Sequence, residues 1–522
     1  MIQHITAMNV LASSAGTEAP ALDYRTLAPL LIMFGGACVA LLLDAFVRRT
    51  ARAAVQLVSV FVILIATMGM LIANWHDGRF GVIGNGLISM DKPTYVAQGA
   101  LIIFTALCMI LFSTRHTEHR KNISESERTG YTEVYVLALF SLFGMMLFTA
   151  ANNLLMLFVA LEAMSLPLYI LCGLSLYRRR LSQEASLKYF LLGVLAAAIM
   201  LYGIVMVYAA TGDFTFASIA QQAEHTDRPA IFILGIVFVV IGLLFKVGAV
   251  PFHNWVPDVY QGAPTPVTAF MAICTKLAAF VALARVLTAA VPFSESQWEI
   301  VIIVLAIISM LFGSILTMTQ TDVKRLIAYS SITHAGFIMT ALVGADQGLL
   351  KVGNLEFSVV SAILIYLAAY GLATIGALAI VTLVRRDSGE EATSITAWEG
   401  MGRQHPWLGA AFALYFLSFA GFPITAGFIG KFTVFSVAWI AGYSWLVVVA
   451  LLVSALAAYA YLRMVIIMFF KPANTTTVVA KPGAAVIIVV VITAVLTVLM
   501  GILPDPVPVS YTHLRAHETR HD

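Results

Sequence analysis

Residues 230–253 read Ala230-Ile231-Phe232-Ile233-Leu234-Gly235-Ile236-Val237-Phe238-Val239-Val240-Ile241-Gly242-Leu243-Leu244-Phe245-Lys246-Val247-Gly248-Ala249-Val250-Pro251-Phe252-His253. A helix needs about 20 apolar residues to cross the hydrocarbon core of a bilayer, and this stretch supplies them with one lysine among them. Pro251 removes a helical hydrogen bond and Gly248 lets the backbone open. Carbonyls freed at membrane depth are tolerable only when buried in protein or lining a wet cavity. The stretch therefore predicts a membrane helix that breaks near its end, with an ionisable group beside the break.

The rest of the chain agrees. Of its 522 residues, 61% are hydrophobic and 11% charged, against about 25% charged in an ordinary soluble domain. The mean hydropathy is +0.93. Too few polar residues remain to cover a water-facing surface. A soluble enzyme, a nucleic-acid binder and a disordered chain are excluded, which leaves an all-α polytopic membrane protein surrounded by lipid. The net charge of +3 says little about partners. Cys38, Cys108, Cys172 and Cys274 stand alone in apolar runs with no CxxC pair, so no iron–sulfur or structural zinc site is expected. No HExxH occurs, and Gly427–Phe432 fails as a phosphate loop because Phe432 stands in the Ser/Thr position and Thr425 in that of the first glycine.

Fourteen apolar segments are long enough to span: 27–47, 55–74, 94–113, 131–150, 152–174, 186–210, 230–250, 262–288, 298–319, 324–343, 357–384, 407–436, 443–469 and 484–503. They are numbered spans 1–14, and each loop takes the number of the span before it. Seventeen lysines and arginines fall in the odd loops, and five (Arg25, Arg79, Lys92, Arg228 and Lys351) on the other side. The positive-inside rule places the odd loops in the cytoplasm and both termini outside. Residues 1–25 lack a signal-peptide pattern and are expected to be retained.

Apart from Arg515 and Arg520 near the C-terminus, six cations remain, all within spans: Lys188, Lys246, Lys276, Arg285, Lys431 and Arg463; Glu162 and His334 join them. Ionisable groups in hydrocarbon are functional candidates by default. Arg285 and Arg463 lie towards span ends, where snorkelling or a structural pair is expected. Lys246, Lys276 and Lys431 are functional candidates. Lys188 and His334 stay open between function and structure. A second interruption, Gly421-Phe422-Pro423-Ile424-Thr425-Ala426-Gly427, precedes Lys431. Two broken spans, 7 and 12, five apart in order, predict two five-helix repeats, spans 4–8 and 9–13. The odd helix number makes the repeats inverted, with sites at the breaks. The expected divisions are 1–130 (spans 1–3), 131–290, 291–470, 471–509 (span 14), and 510–522, a polar tail that reads as non-native.

The run Phe245-Lys246-Val247-Gly248-Ala249-Val250-Pro251-Phe252-His253-Asn254-Trp255-Val256-Pro257-Asp258-Val259-Tyr260-Gln261-Gly262-Ala263-Pro264-Thr265-Pro266 resembles the antiporter-like membrane subunits of proton-translocating NADH-quinone oxidoreductase (respiratory complex I), subunit N in particular. Leu161–Tyr169, Lys324–His334, Gly421–Pro423 and Gly430–Phe432 support this resemblance, which covers about residues 25–505. Lys431, where subunit M has a glutamate, also favours N. The resemblance implies a half-channel in each repeat and a row of ionisable residues along the membrane plane. It carries Glu162, Lys246, Lys276, His334, Lys431 and, less directly, Lys188 over as row members. It also implies that this chain needs no cofactor, since NADH, FMN, iron–sulfur clusters and quinone belong to other subunits. The implied neighbours are the antiporter-like subunit M and the small subunits K and J. A subunit of a multi-component sodium/proton antiporter is the alternative.

Lysine suits such a row. Taken out of water it holds its proton less firmly, and a nearby carboxylate restores the hold. Glu162 and Lys246 are expected to pair and switch. Charges 4 Å apart couple by about 4 kcal/mol at an effective dielectric near 20.

Overall fold

The computed structural model describes residues 22–113, 132–175, 179–291, 295–347, 350–352, 355–386, 390–474 and 477–503. The tail 510–522, most of the N-terminal segment and the loop cations Arg115, Arg120, Lys121, Arg128 and Arg178 lie outside them. Among the described residues, thirteen helices are long and apolar enough to cross a membrane. Spans 1–6 are Tyr24–Phe46, Arg49–His76, Lys92–Phe112, Glu133–Ala150, Leu154–Cys172 and Arg179–Thr211. Span 7 begins with helix 7a, Pro229–Val247. Span 8 is Thr265–Ala290. Spans 9, 10, 11, 13 and 14 are Glu295–Thr319, Val323–Met339, Val359–Val381, Ser444–Phe470 and Ala484–Ile502. Span 12 is the fourteenth crossing, built as two 15-residue helices, 12a (Pro406–Ala420) and 12b (Ala426–Ile440). At 1.5 Å per residue neither half is long enough alone.

Polar caps mark where helices start. Asp23, Asp91, Asn153, Asp322 and Ser358 each accept from backbone N–H groups of the first turn of spans 1, 3, 5, 10 and 11, satisfying donors that have no helical partner.

Loop contacts obey the expected alternation. On the even side, Ile88 bridges Ala151 and Asn153 bridges Thr215, while Tyr443 donates to Glu299 at 2.8 Å. On the odd side, strand Val384–Arg386 pairs antiparallel with Thr477–Val479, Asp322 bridges Ser394, and Lys471 pairs with Glu399 at 2.9 Å. A missed or invented span would have set these partners on opposite faces.

Both breaks have the same construction. Helix 7a closes on Gly248 at φ +77°, with Gly248 N–H bonded to the Phe245 carbonyl and Ala249 N–H to that of Leu244. Helix 12a closes on Gly421 at φ +82°, with Gly421 N–H bonded to Ser418 and Phe422 N–H to Leu417. This is the left-handed glycine closure that satisfies terminal carbonyls, and a proline follows each. Beyond the first break, Trp255–Gly262 forms a short helix, 7b. Eight residues are too few for a hydropathy window to register.

Spans 8, 10 and 11 form the centre. Their apolar windows are 100%, 94% and 89% buried, against 28% for spans 2 and 14, whose outer faces are left to lipid. Span 8 widens into a π-helical turn at Met271–Thr275, directly before Lys276. Such turns change the direction of the side chains that follow.

Candidate functional site

Lys246, Lys276, His334 and Lys431 are each 6% exposed or less. Lys431, near the start of 12b, reaches back over the break. Its Nζ donates to the carbonyls of Phe419 (3.0 Å) and Ala420 (2.8 Å) at the end of 12a, and to Ser454 Oγ (2.7 Å) on span 13. A cation at the negative end of a helix is favourably placed. Lys276 donates to the Ser331 carbonyl at 2.6 Å, tying span 8 to span 10. One turn on from Ser331, His334 Nδ1 lies 2.6 Å from Tyr366 Oη of span 11, and Nε2 lies 3.4 Å from Tyr461 Oη of span 13. The Tyr461 hydroxyl in turn meets Ser330 Oγ at 2.6 Å.

Lys246 ends helix 7a inside an aromatic cage, 5.1 Å from the Tyr189 ring centroid, 5.4 Å from that of Tyr169 and 5.8 Å from that of Phe245. The expected contact ion pair with Glu162 is not formed: neither Lys246 Nζ nor Glu162 Oε1 has a hydrogen-bond partner among the described residues. The tyrosine rings take the ammonium by cation–π attraction, and the carboxylate acts on it only through space. Trp255 of 7b stacks on Tyr189 and donates to the Phe245 carbonyl at 2.8 Å, closing the cage across the break.

Lys188 stands apart from this row. It is partly exposed and pairs with Glu184 and with Asp258 of 7b, each at 2.8 Å. Asp258 also takes Arg325 at 2.7 Å. Gln261 joins Arg325 to Asp322, Thr265 donates to Glu391 at 2.6 Å, and fully buried Lys324 donates to the Ala263 carbonyl at 2.7 Å. Helix 7b and the turn after it are thus fastened to the start of span 10 and to loop 11. Sequence reasoning missed this clasp. Lys324 and Arg325 passed as loop cations, and Asp258 was noticed only as part of a motif. The tyrosines around His334 were also missed. The signal available was the unusual number of hydroxyl-bearing residues in otherwise apolar runs.

The arginines towards span ends have partners of the kind expected there. Arg285 grips Asp91 through both terminal guanidinium nitrogens (2.8 and 2.9 Å) and bonds Thr94. Arg463 donates to the Met318 carbonyl at 2.7 Å.

A family model described as NADH:quinone oxidoreductase/Mrp antiporter, transmembrane, matches residues 151–457. NADH-quinone oxidoreductase subunit N of Cutibacterium acnes is 43% identical over 509 residues, 94% of each chain. The protein of that name from Thermobifida fusca is 43% identical, covering 94% of this chain and 92% of its own. Among solved structures, a chain of respiratory complex I from Thermus thermophilus with bound Aureothin superposes with TM-score 0.75 at 33% identity, over 91% of this chain and 97% of that one. A chain of the Mrp complex from Dietzia superposes with TM-score 0.74 over 92% of this chain and 95% of that one, but at 17% identity shares the fold alone.

Proposed function

The chain belongs to the NADH:quinone oxidoreductase/Mrp antiporter membrane family, and we propose that it acts as the N-type, antiporter-like proton-translocating subunit of an NADH-quinone oxidoreductase. The identity of 43% to subunit N proteins, against 17% to an Mrp chain, favours this over a sodium/proton antiporter. The observation that carries the role is the placement of four almost fully buried basic groups, Lys246, Lys276, His334 and Lys431, on the central spans and beside the two helix breaks. Each buried lysine costs about 2.5–3.5 kcal/mol on insertion scales, a penalty that a passive scaffold would have no reason to retain.

In this reading residues 131–290 and 291–470 are inverted repeats, each contributing a half-channel. Glu162 and Lys246 form one titrating step, coupled across the aromatic cage rather than by contact. Lys276, His334 and Lys431 continue the row, and Lys188 with Asp258 sets the charge beside helix 7b. NADH, FMN, iron–sulfur clusters and quinone are handled by other subunits, whose reaction reaches this row as a shift of charge. Subunits M, K and J are the proposed neighbours in the bacterial plasma membrane, with both termini outside.

The test replaces Lys246 with alanine and with arginine and measures NADH-driven quinone reduction and proton pumping in membrane vesicles, per assembled complex. Both variants are expected to slow, because alanine cannot titrate and arginine does not release its proton. Wild-type rate and pumping in both would make Lys246 a structural residue.

A further inference from the structure

Spans 1 and 2 are peripheral, with apolar windows 39% and 28% buried, and an open groove runs between them. It holds ≈ 640 Å³, and its walls present carbon alone. Span 1 supplies Gly36 and Val39, and span 2 the stripe Val55, Ser59, Val62 and Ala66, which three- and four-residue steps set on one helix face. Ser59 is no polar exception, since its hydroxyl donates to the Gln56 carbonyl at 2.9 Å. At Gly36 the helices touch, because a Cβ there would fall 2.6 Å from Ile63. The groove therefore has a floor rather than a gap between helices. Its length along span 2 is about 17 Å at 1.5 Å per residue. One leaflet's share of a core about 30 Å thick is about 15 Å. An acyl chain from one leaflet fits that length, whereas a helix of another subunit would need a seat through both.

What stands at the end of the groove identifies the headgroup. One step further along the same face the stripe reaches Arg52, and Arg48 and Arg49 start the helix. Three arginines thus crowd the positive end of a helix dipole, which favours anions. Spans 1, 3, 5, 10 and 11 have Asp, Asn or Ser as their caps. Span 2 has Arg48, with no side-chain cap bond and no acid in its first turn. Asp44, 8% exposed, stands 4.0 Å from Arg52 and already accepts from Gln56 at 3.3 Å. Among the described residues Arg52 Nε has no acceptor, and exposed Arg48 and Arg49 have no ion pair. The cluster lacks an anion where the apolar groove begins.

We propose that this groove binds an anionic phospholipid of the leaflet at loop 1, with one acyl chain along Val55–Ala66 and the phosphate on Arg48, Arg49 and Arg52. The groove buries the chain, and the arginines select the headgroup. Loop charge predicts that loop 1 is cytoplasmic, the side on which basic clusters beside membrane helices meet anionic lipid. The site uses none of the buried row and stands independently of the proton-translocating role.

The experiment reconstitutes the purified complex in phosphatidylcholine vesicles with a trace of photoactivatable lipid, either phosphatidylglycerol or phosphatidylcholine, each carrying a diazirine in one acyl chain. Mass spectrometry then reads labelling of residues 54–66. A basic residue beside an anionic surface contributes about 1 kcal/mol, which is about fivefold. In the wild type, phosphatidylglycerol is expected to label this segment at least about fivefold more than phosphatidylcholine. Arg52→Gln should lower that preference about fivefold, and Arg48→Gln with Arg49→Gln should lower it further. Ala66→Phe fills the groove and keeps the arginines, so it should lower labelling by phosphatidylglycerol. Equal labelling by the two probes in the wild type would mean that the groove holds bulk lipid only. No labelling by either would mean that a helix of another subunit covers it. Each of these results overturns the proposal, as does a preference unchanged in the arginine variants or labelling unchanged in Ala66→Phe. If the double variant fails to assemble, Arg52→Gln decides on the same readout.

Discussion

Gly421 stands where no side chain fits. Its φ is +82°, and a Cβ there would lie 2.8 Å from Lys431 Cδ. Alanine in the left-handed region costs about 1–2 kcal/mol, and the collision would lift the ammonium from the Phe419 and Ala420 carbonyls. Gly421→Ala is therefore expected to slow turnover and to lower the temperature of thermal inactivation of the detergent-solubilised complex; unchanged values would show that the Lys431 contact is dispensable. The lysine itself was legible in the sequence, because a charge inside an apolar run has few structural reasons to be there. Its partners were not. Arg285 and Asp91 are 194 residues apart, and nothing local to either announces the other. Likewise Glu162 and Lys246 read as a pair, since both are charges in hydrocarbon, yet the rings of Tyr169 and Tyr189 occupy the ammonium's surroundings. Which way a side chain points is decided by packing that residue type alone does not encode.

Helices 7a and 12a were legible as elements because glycine and proline interrupt long apolar runs. Helix 7b was not, since its buried Trp255, Val259 and Tyr260 share eight residues with Asp258 and Gln261. The π turn before Lys276 leaves no trace in composition either. Helix 7b is held by polar contacts as well as by its buried apolar residues, and Arg325 bonds both Asp258 and Gln261. Arg325→Gln should loosen it. A hydrogen bond to a charged group contributes about 1.5–3 kcal/mol, so amide exchange across 255–262 should accelerate roughly tenfold at the low end of that range. Hydrogen-exchange mass spectrometry of the purified complex reads this directly. Unchanged protection in 7b would mean that its apolar face alone holds it.

Across the whole molecule, the alternation of fourteen spans was the most legible feature, because crossing length and loop charge are set by the bilayer rather than by packing. The pairing of Val384–Arg386 with Thr477–Val479 and of Asn153 with Thr215 tells which loops share a face, and loop charge predicts which face is cytoplasmic. A single cysteine introduced at Asp213 is expected to react with an impermeant reagent outside intact cells, and one at Arg180 only after the membrane is opened; the reverse pattern would invert the molecule. The burial of spans 8, 10 and 11 then explains why Lys276, His334 and their tyrosines share one buried centre, with Lys246 and Lys431 at the two breaks flanking it. In the proposed function, protons driven by NADH oxidation pass along this row. It is tested most directly by counting protons moved per NADH oxidised in sodium-free proteoliposomes, comparing complexes that carry the wild-type chain, Lys246→Ala or Lys431→Ala. Sodium-independent pumping is expected of the wild type and, in each variant, either a lower ratio or a slowing of oxidation and pumping together. Pumping that requires sodium, or variants that keep both the wild-type ratio and the wild-type rate, would contradict it.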